Sequence, residues 1–506
     1  MNQPPAEGPN PSHAGGRIVR NSLLGMLARS VDLVMRMVIV AVIARYLGTA
    51  GFGEFAFVMA TTAFVLTLTD FGLEPIMVRD MNIAGADRAR IVGGILALRG
   101  LMGAVILAGM AGIVALSDWS RPVCLAMLVA SVSQVLMAGQ MVMLGVLRAH
   151  ERMGYDATTS ILYQSVSLGL TGAAVALDTG LVGIAVAQLA GEAVKLALLT
   201  GWVERRFLKL RLVWDAQQAA YHLREALPII GLALTTVVSF RLNVLFLQAW
   251  RGAEDIALFD SSQRLVLSIT LIPLMVVVAI FPALSRMAGR DGVAFRDAYV
   301  TAFKYLLIMG LGFTVLLAVW AEPILRLLFG PAFAAGAGSM RLLALCIVAG
   351  FLIPLTNYVM TSIGRQALAM AGVVAGVVVN VIVNLFLVPT LGHVGAAAGF
   401  AAGTVVAMAV NMVLVRRLLG PAGLAGVAWR PCAAGALMAA VGVAVGTGSP
   451  GRALLGVVLA AASFAAALFA LRTVTVAELN ALRAMRRAAP PGAGEKAPSP
   501  PPRPLS

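Results

Sequence analysis

Charge is scarce in this chain: Asp, Glu, Lys and Arg make up 12% of its 506 residues, against about 25% in soluble domains. An ordinary water-soluble protein is excluded. Cysteine is scarcer still. Cys124, Cys346 and Cys432 each lie in an apolar stretch with no CxxC spacing, and His13, His150, His222 and His393 are scattered. Neither a disulfide framework nor a metal site is expected. No nucleophile or nucleotide-binding motif occurs, so the protein is not expected to be an enzyme or to carry a cofactor. The net charge of +15 does not indicate a nucleic-acid partner. Its cations collect in short loops between apolar runs, the pattern of membrane topology signals rather than of a basic groove.

What the chain has in abundance is apolar length. Hydrophobic residues make up 60%, and the runs 101–116, 123–147 and 367–389 contain no Asp, Glu, Lys or Arg. About 20 such residues span a bilayer as a helix, and no segment shows the alternation of an outer-membrane barrel. The fold class is therefore all-α and polytopic. Membrane helices are expected at 20–46, 54–78, 91–116, 122–147, 156–177, 180–203, 226–250, 256–284, 302–326, 339–363, 367–389, 394–416, 429–447 and 452–471.

The loops support this reading. With the N-terminus cytoplasmic, 26 of the 38 basic residues fall in inside segments and five in outside loops, as the positive-inside rule demands. Both termini are then cytoplasmic. A shift of 204 residues lays Arg20 on Arg224, Gly48 on Gly252 and Phe55 on Phe259, a faint parallel repeat of a kind that places substrate between two halves. The expected organisation has a disordered N-terminus (1–19), a six-helix bundle (20–203) and a basic linker (204–225). A second six-helix bundle (226–417), two added helices (429–471) and a cytoplasmic tail (472–506), Pro-rich and disordered from 490, follow.

Several strings carry a resemblance. ARYLGTAGFGEFAF at 44–57, TDFGLEPIMVRD at 69–80, WAEPILRLLFGPAF at 320–333 and NVIVNLFLVPTLGHVGAAAG at 380–399 resemble the polysaccharide-exporter, or O-antigen flippase, family of the multidrug/oligosaccharidyl-lipid/polysaccharide (MOP) superfamily. The likeness runs from about Arg20 to Arg417. It implies two six-helix bundles facing each other in a V with alternating access. It also implies a flippase that carries an undecaprenyl-pyrophosphate-linked oligosaccharide across the bacterial cytoplasmic (inner) membrane for surface or exo-polysaccharide synthesis. The partners implied are that lipid-linked substrate, membrane lipids, and a polysaccharide polymerase with glycosyltransferases. The glycines in these strings suit turns and close helix packing, so the strings build scaffold.

Function is expected instead in charges placed inside helices. An Arg or Asp at a helix centre costs about 2.5–3.5 kcal/mol even on insertion scales, so such groups usually face a cavity. They are Arg29, Asp32, Arg36, Asp70, Arg99, Glu192, Lys195, Arg241, Asp260 and Arg264, six basic against four acidic. Spacings of three and four put Arg29, Asp32 and Arg36 on one helix face. Arg36, Arg241, Arg29, Arg99 and Arg264 are the candidates for holding a pyrophosphate, since guanidinium forks bind phosphate oxygens bidentately. Asp32, Asp70, Glu192 and Lys195 are candidates for a coupling ion or for salt bridges, with Glu192 three residues before Lys195 and able to pair with it. Sodium, protons and membrane potential all stay open as the drive. Gln134, Gln140, Gln164, Asn243, Gln263, Asn357, Asn380, Asn384 and Asn411 add polar groups whose default role is interhelical hydrogen bonding. The alternatives are a multidrug cation antiporter, which would want the opposite cavity sign, or a lipid II flippase. A membrane glycosyltransferase or polymerase would need acidic catalytic residues or a sizeable extramembrane loop.

Overall fold

The computed structural model describes residues 12–473 except 84, 151–153, 289–291, 422 and 447. Side chains are described from Leu33 onward, apart from 154–157 and scattered positions at 275–288 and 450. Of the segments expected to be disordered, 1–19 and 490–506, residues 1–11 and 490–506 lie outside the described residues, and residues 12–19 are instead helical, continuous with α1. Sixteen α-helices and no strand form the described part. They are α1 (Ser12–Asp70), α2 (Leu73–Met81), α3 (Arg88–Ala115), α4 (Arg121–Ala149), α5 (Gly154–Ala176), α6 (Gly180–Arg206), α7 (Ala216–Trp250) and α8 (Ala253–Ile269). They continue as α9 (Leu271–Ala288), α10 (Gly292–Val319), α11 (Ala321–Phe329), α12 (Ala337–Ser362), α13 (Gln366–Leu391), α14 (His393–Leu419), α15 (Leu424–Val445) and α16 (Pro450–Ala470).

Eleven stretches among the described residues are long and apolar enough to cross a membrane. The first of them is broken at Gly48, whose φ of 67° and ψ of −172° suit only glycine. It therefore forms two legs. Counting α5 and the broken rod α8–α9 with these gives fourteen rods, and the protein is a multi-pass membrane protein. Gly252, between α7 and α8, has the same ψ of −172° with φ 103°. The bounds of α3 (88 and 115) and α10 (292 and 319) also differ by 204 at both ends. Beyond α10 the offset fails, because α11 and the 3-10 turn Pro331–Gly336 have no counterpart among the described residues of the first half.

Some boundaries differ from expectation for identifiable reasons. α1 begins at Ser12, ahead of the expected residue 20. Its second leg ends in a turn, where Phe71 and Gly72 take φ of 52° and 72° and the Gly72 N–H donates to the Asp70 carboxylate at 3.2 Å. The helix expected at 302–326 instead ends at Val319. Past Trp320 a separate amphipathic helix, α11, buries Ala321, Leu325 and Phe329 on one face. The non-helical part of the linker is 207–215, and Asp215 starts α7 early by accepting from the Gln217 and Gln218 N–H groups at 3.0 and 3.2 Å, an N-cap.

In the first half, α1 packs on α3, α4 and α5, with α4 and α5 each against α6; in the second, α12 and α13 pack on α14, α10 on α12, and α7 on α13. α15 and α16 pack on each other and on α10. The seam between α13 and α14 is backbone on backbone. A methyl group on Gly376 would stand 2.6 Å from the Gly403 carbonyl oxygen, one on Gly403 2.5 Å from that of Gly376, and one on Gly395 2.3 Å from that of Leu387. This is the close packing expected of the glycines at 395, 399 and 403. Large apolar side chains such as Leu116, Phe386, Val443 and Leu454 face outward, as a lipid-facing surface requires.

The halves meet along α1, α7 and α8, and contacts bridge the seam at both rims. At the rim holding Gly48 and Gly252, a methyl on Gly53 would lie 1.7 Å from the Ala253 carbonyl oxygen. Phe52 stacks edge-on against Phe333 at 5.6 Å. At the rim holding the linker, Arg79 bonds Glu225 at 3.0 Å and Tyr221 at 2.7 Å, and His222 approaches Asp80 at 3.4 Å. Arg90 pairs there with Asp215 at 3.0 Å.

Candidate functional site

Three of the intramembrane arginines come to the seam between the halves. Arg36 is exposed on the first leg of α1, within electrostatic reach of Tyr163 on α5. Its neighbour Met37 accepts a hydrogen bond from Ser268 of α8 at 3.3 Å, which sets this stretch of α1 against the second half. Arg241, half-buried on α7, lies within electrostatic reach of Arg264 and Asp260 on α8. Arg264 pairs with Asp260 one turn away and sits 6.0 Å from the rings of Phe52 and Phe55 on the second leg of α1, a cation–π distance.

Partners distinguish these arginines. Arg264 has Asp260, although its Nη2 and the Asp260 Oδ1 are buried without hydrogen bonds. Among the described residues, Arg241 has neither a hydrogen-bond acceptor nor an ion pair. Arg241 and Arg264 thus share one carboxylate, that of Asp260, at this seam. An uncompensated charge in a low-dielectric setting is costly, so the arrangement suits an anion with several oxygens. Arg29 and Asp32 belong to α1, but their side chains lie outside the described residues.

The other candidates lie within the first half, where Tyr163 links Glu192 and Lys195 to the surroundings of Arg36. Arg99 is buried, 3% exposed, and pairs with Asp70; its Nη1 donates to the Ala138 carbonyl at 2.6 Å. This is an interhelical ion pair between α1 and α3, away from the seam arginines. Glu192 does not pair with Lys195, as their spacing suggests. The Glu192 carboxylate accepts from Tyr163 at 2.6 Å and from Gln140 at 2.7 Å, while Lys195 lies over the Tyr163 ring at 4.9 Å. Groups on α4 and α5 satisfy the carboxylate better than a neighbour on its own helix.

One further feature was not legible in the sequence, and another was expected only in outline. Arg45, near the end of the first leg of α1, donates from Nε to the Leu328 carbonyl at 3.0 Å and from Nη2 to Leu327. It thereby caps the C-terminus of α11 across the seam, where a cation is favoured. The short amphipathic string at 321–329, following a buried Trp, was the available signal. In the second half, Asn384 donates to Asn243 at 2.9 Å and to the Asn380 side chain at 2.6 Å. Asn411 donates to Thr356 at 3.2 Å and Asn357 at 3.0 Å. For these asparagines interhelical bonding is what the structure contains.

The chain matches the family model described as polysaccharide biosynthesis protein over residues 18–288. No curated protein sequence matches it significantly. Among solved structures it resembles the lipid II flippase MurJ in an inward closed conformation, with a TM-score of 0.74 and 12% identity over 88% of this chain and 98% of that one. It also resembles an inward-facing multidrug resistance MATE family transporter of the MOP superfamily, with a TM-score of 0.64 and 16% identity over 78% and 95%. A MOP superfamily transporter from Pyrococcus furiosus, whose structure is described by a binding pocket of reverse polarity, gives 0.56 and 18% over 80% and 96%. The family match spans more than half of the sequence, and the chain is therefore a member of the polysaccharide biosynthesis protein family, built on the fold of MOP superfamily transporters.

Proposed function

We propose that this protein is a flippase that moves an undecaprenyl-pyrophosphate-linked oligosaccharide from the cytoplasmic to the periplasmic leaflet of the bacterial inner membrane. The observation that carries the reading is Arg241, a guanidinium at the seam of the two halves with no partner of its own among the described residues, beside Arg264 and on the same seam as Arg36. A pyrophosphate offers the oxygens such forks bind in pairs. Membership of a polysaccharide biosynthesis family supports a glycan cargo, and the fold supports transport by alternating opening of two rims. The excess of positive charge counts against a cation antiporter. On this reading the linker rim is cytoplasmic, in keeping with its basic residues. Glycosyltransferases would supply the cargo and a polymerase would consume it. Glu192 is the candidate for a coupling proton, since its carboxylate sits among neutral donors, whereas Asp70 is already held by Arg99.

The test compares export with membrane abundance. Arg241→Ala and Arg36→Ala should abolish flipping while the protein still inserts and accumulates. Arg241→Lys should restore part of it, because an ammonium cannot supply two parallel hydrogen bonds. Full export by Arg241→Ala at normal abundance would sink the pyrophosphate role.

A further inference from the structure

A cavity of about 320 Å³ lies inside the second half, between α7, α8, α12, α13 and α14. It adjoins the arginine cluster. Phe240 lines it and precedes Arg241 on α7; Val266 lines it two residues after Arg264 on α8. The chain reverses between these helices at Gly252, so both displacements, at about 1.5 Å per residue, point toward the linker rim. The cavity begins where the cluster ends.

Its walls are mostly hydrocarbon. Val266, Leu267, Val377, Phe400 and Ala407 supply apolar surface. The hydroxyls on the lining are spent within their own helices. Thr236, Ser239, Thr270 and Thr404 donate to the carbonyls of Leu232, Thr235, Leu267 and Phe400 at 2.9, 2.7, 2.8 and 2.8 Å. The Asn411 Oδ1 is buried without a donor, but it is packed against Gly372, where a methyl would stand 2.3 Å from it. Asn380, whose Oδ1 accepts from Asn384, is the one other amide side chain on the lining, so a sugar here would leave most of its hydroxyls unpaired, which is costly. An apolar guest meets no such penalty, and apolar cavities take such guests.

We propose that this cavity seats the isoprene units next to the pyrophosphate of the lipid-linked cargo; the proposal rests on the reading of Arg241 and Arg264 as ligands of that pyrophosphate. A prenyl chain leaving the bilayer for this cavity gains little, since lipid tails are as apolar as its walls. The seat therefore acts by register. It fixes where the chain joins the headgroup and so holds the pyrophosphate against Arg241 while the sugars are carried. A short prenyl group arriving from water does gain by burial, which makes the seat measurable.

The test is a ladder of water-soluble ligands binding to the purified full-length protein: inorganic pyrophosphate, dimethylallyl diphosphate and geranyl diphosphate. Affinity should climb along it, with geranyl diphosphate at least about tenfold tighter than pyrophosphate. Val377→Phe, which fills the cavity, should flatten the ladder while pyrophosphate itself binds as before. Val373→Phe is the second filling variant, should the first fail to fold. Arg241→Ala should weaken all three ligands together. Equal affinities for the three in the wild-type protein, or a ladder that survives both filling variants, would overturn the seat and leave the pyrophosphate reading intact. A wild-type protein that binds no pyrophosphate would overturn that reading, and the seat with it.

Discussion

Gly48 and Gly252 stand 204 residues apart and turn the chain with the same ψ of −172°. Both positive φ values favour glycine, and neither residue has an atom within 4 Å of where a side chain would begin. Gly53 differs, because a methyl there would meet the Ala253 backbone at 1.7 Å. Gly48→Ala should therefore cost about 1–3 kcal/mol through backbone strain alone, seen as a fall in melting temperature in detergent. Gly53→Ala should part the two halves at this rim and impair export more severely. Equal effects of the two variants would mean that the contact with Ala253 does not matter.

The Arg99–Asp70 pair should behave as scaffold. Arg99→Ala leaves a carboxylate uncompensated inside the first half, which typically costs roughly 3–5 kcal/mol, and abundance should drop. Joining Arg99→Met with Asp70→Asn should restore both abundance and export, since replacing a buried pair with neutral groups is often tolerated. Restored abundance without export would instead place this pair in the transport step.

Reporter fusions after Arg90, Arg211 and Arg417 should report cytoplasm, and fusions near Gly252 and Gly392 periplasm. The structure groups these positions consistently: Gly392 lies against Asp255 just past Gly252, and Gly93, close to Arg90, lies against the Arg211 carbonyl. A periplasmic signal at Arg211 would invert the proposed direction of flipping.

Asp215 supplies a pH dependence. The backbone N–H of Gln218, then that of Gln217 and the Arg90 guanidinium, hold its carboxyl below the usual carboxylate range. A depressed folded-state value means that its stabilisation is complete above the unfolded value and is lost as pH falls through the folded one. Amide protection at Gln217 and Gln218 should fall over that acidic window. Asp215→Asn, which keeps a capping oxygen, should retain protection at neutral pH and lose the acid dependence. Protection that falls identically in both proteins would assign the effect to another group.

The sequence revealed most of the architecture because a bilayer demands long apolar helices and leaves few ways to write one. The positions of cations and of turn glycines then sorted the helices into two sets. What stayed hidden depends on three-dimensional neighbours. Spacing brings Glu192 and Lys195 together, yet Tyr163 and Gln140 take the carboxylate. Asp70 and Arg99 stand out as charges inside helices, yet nothing in the sequence makes them a pair. Trp320 reads as part of a continuous helix to residue 326, and only its burial against α15 and α16 shows why the chain breaks there. For Arg241 the sequence indicated a deep charge, but its lack of a partner is a property of the packed structure.

The glycine seam between α13 and α14 has a mechanical meaning. Side chains act as bearings between helices, since they can change rotamer and let one rod slip past another. Between Gly376 and Gly403 there are none, and the two backbones are keyed together. These two helices form a stiff blade, joined to Asn243 of α7 by the bond from Asn384. A force that displaces α7 at the seam is then delivered to the whole blade at once, and α13 and α14 move as one lever rather than yielding singly.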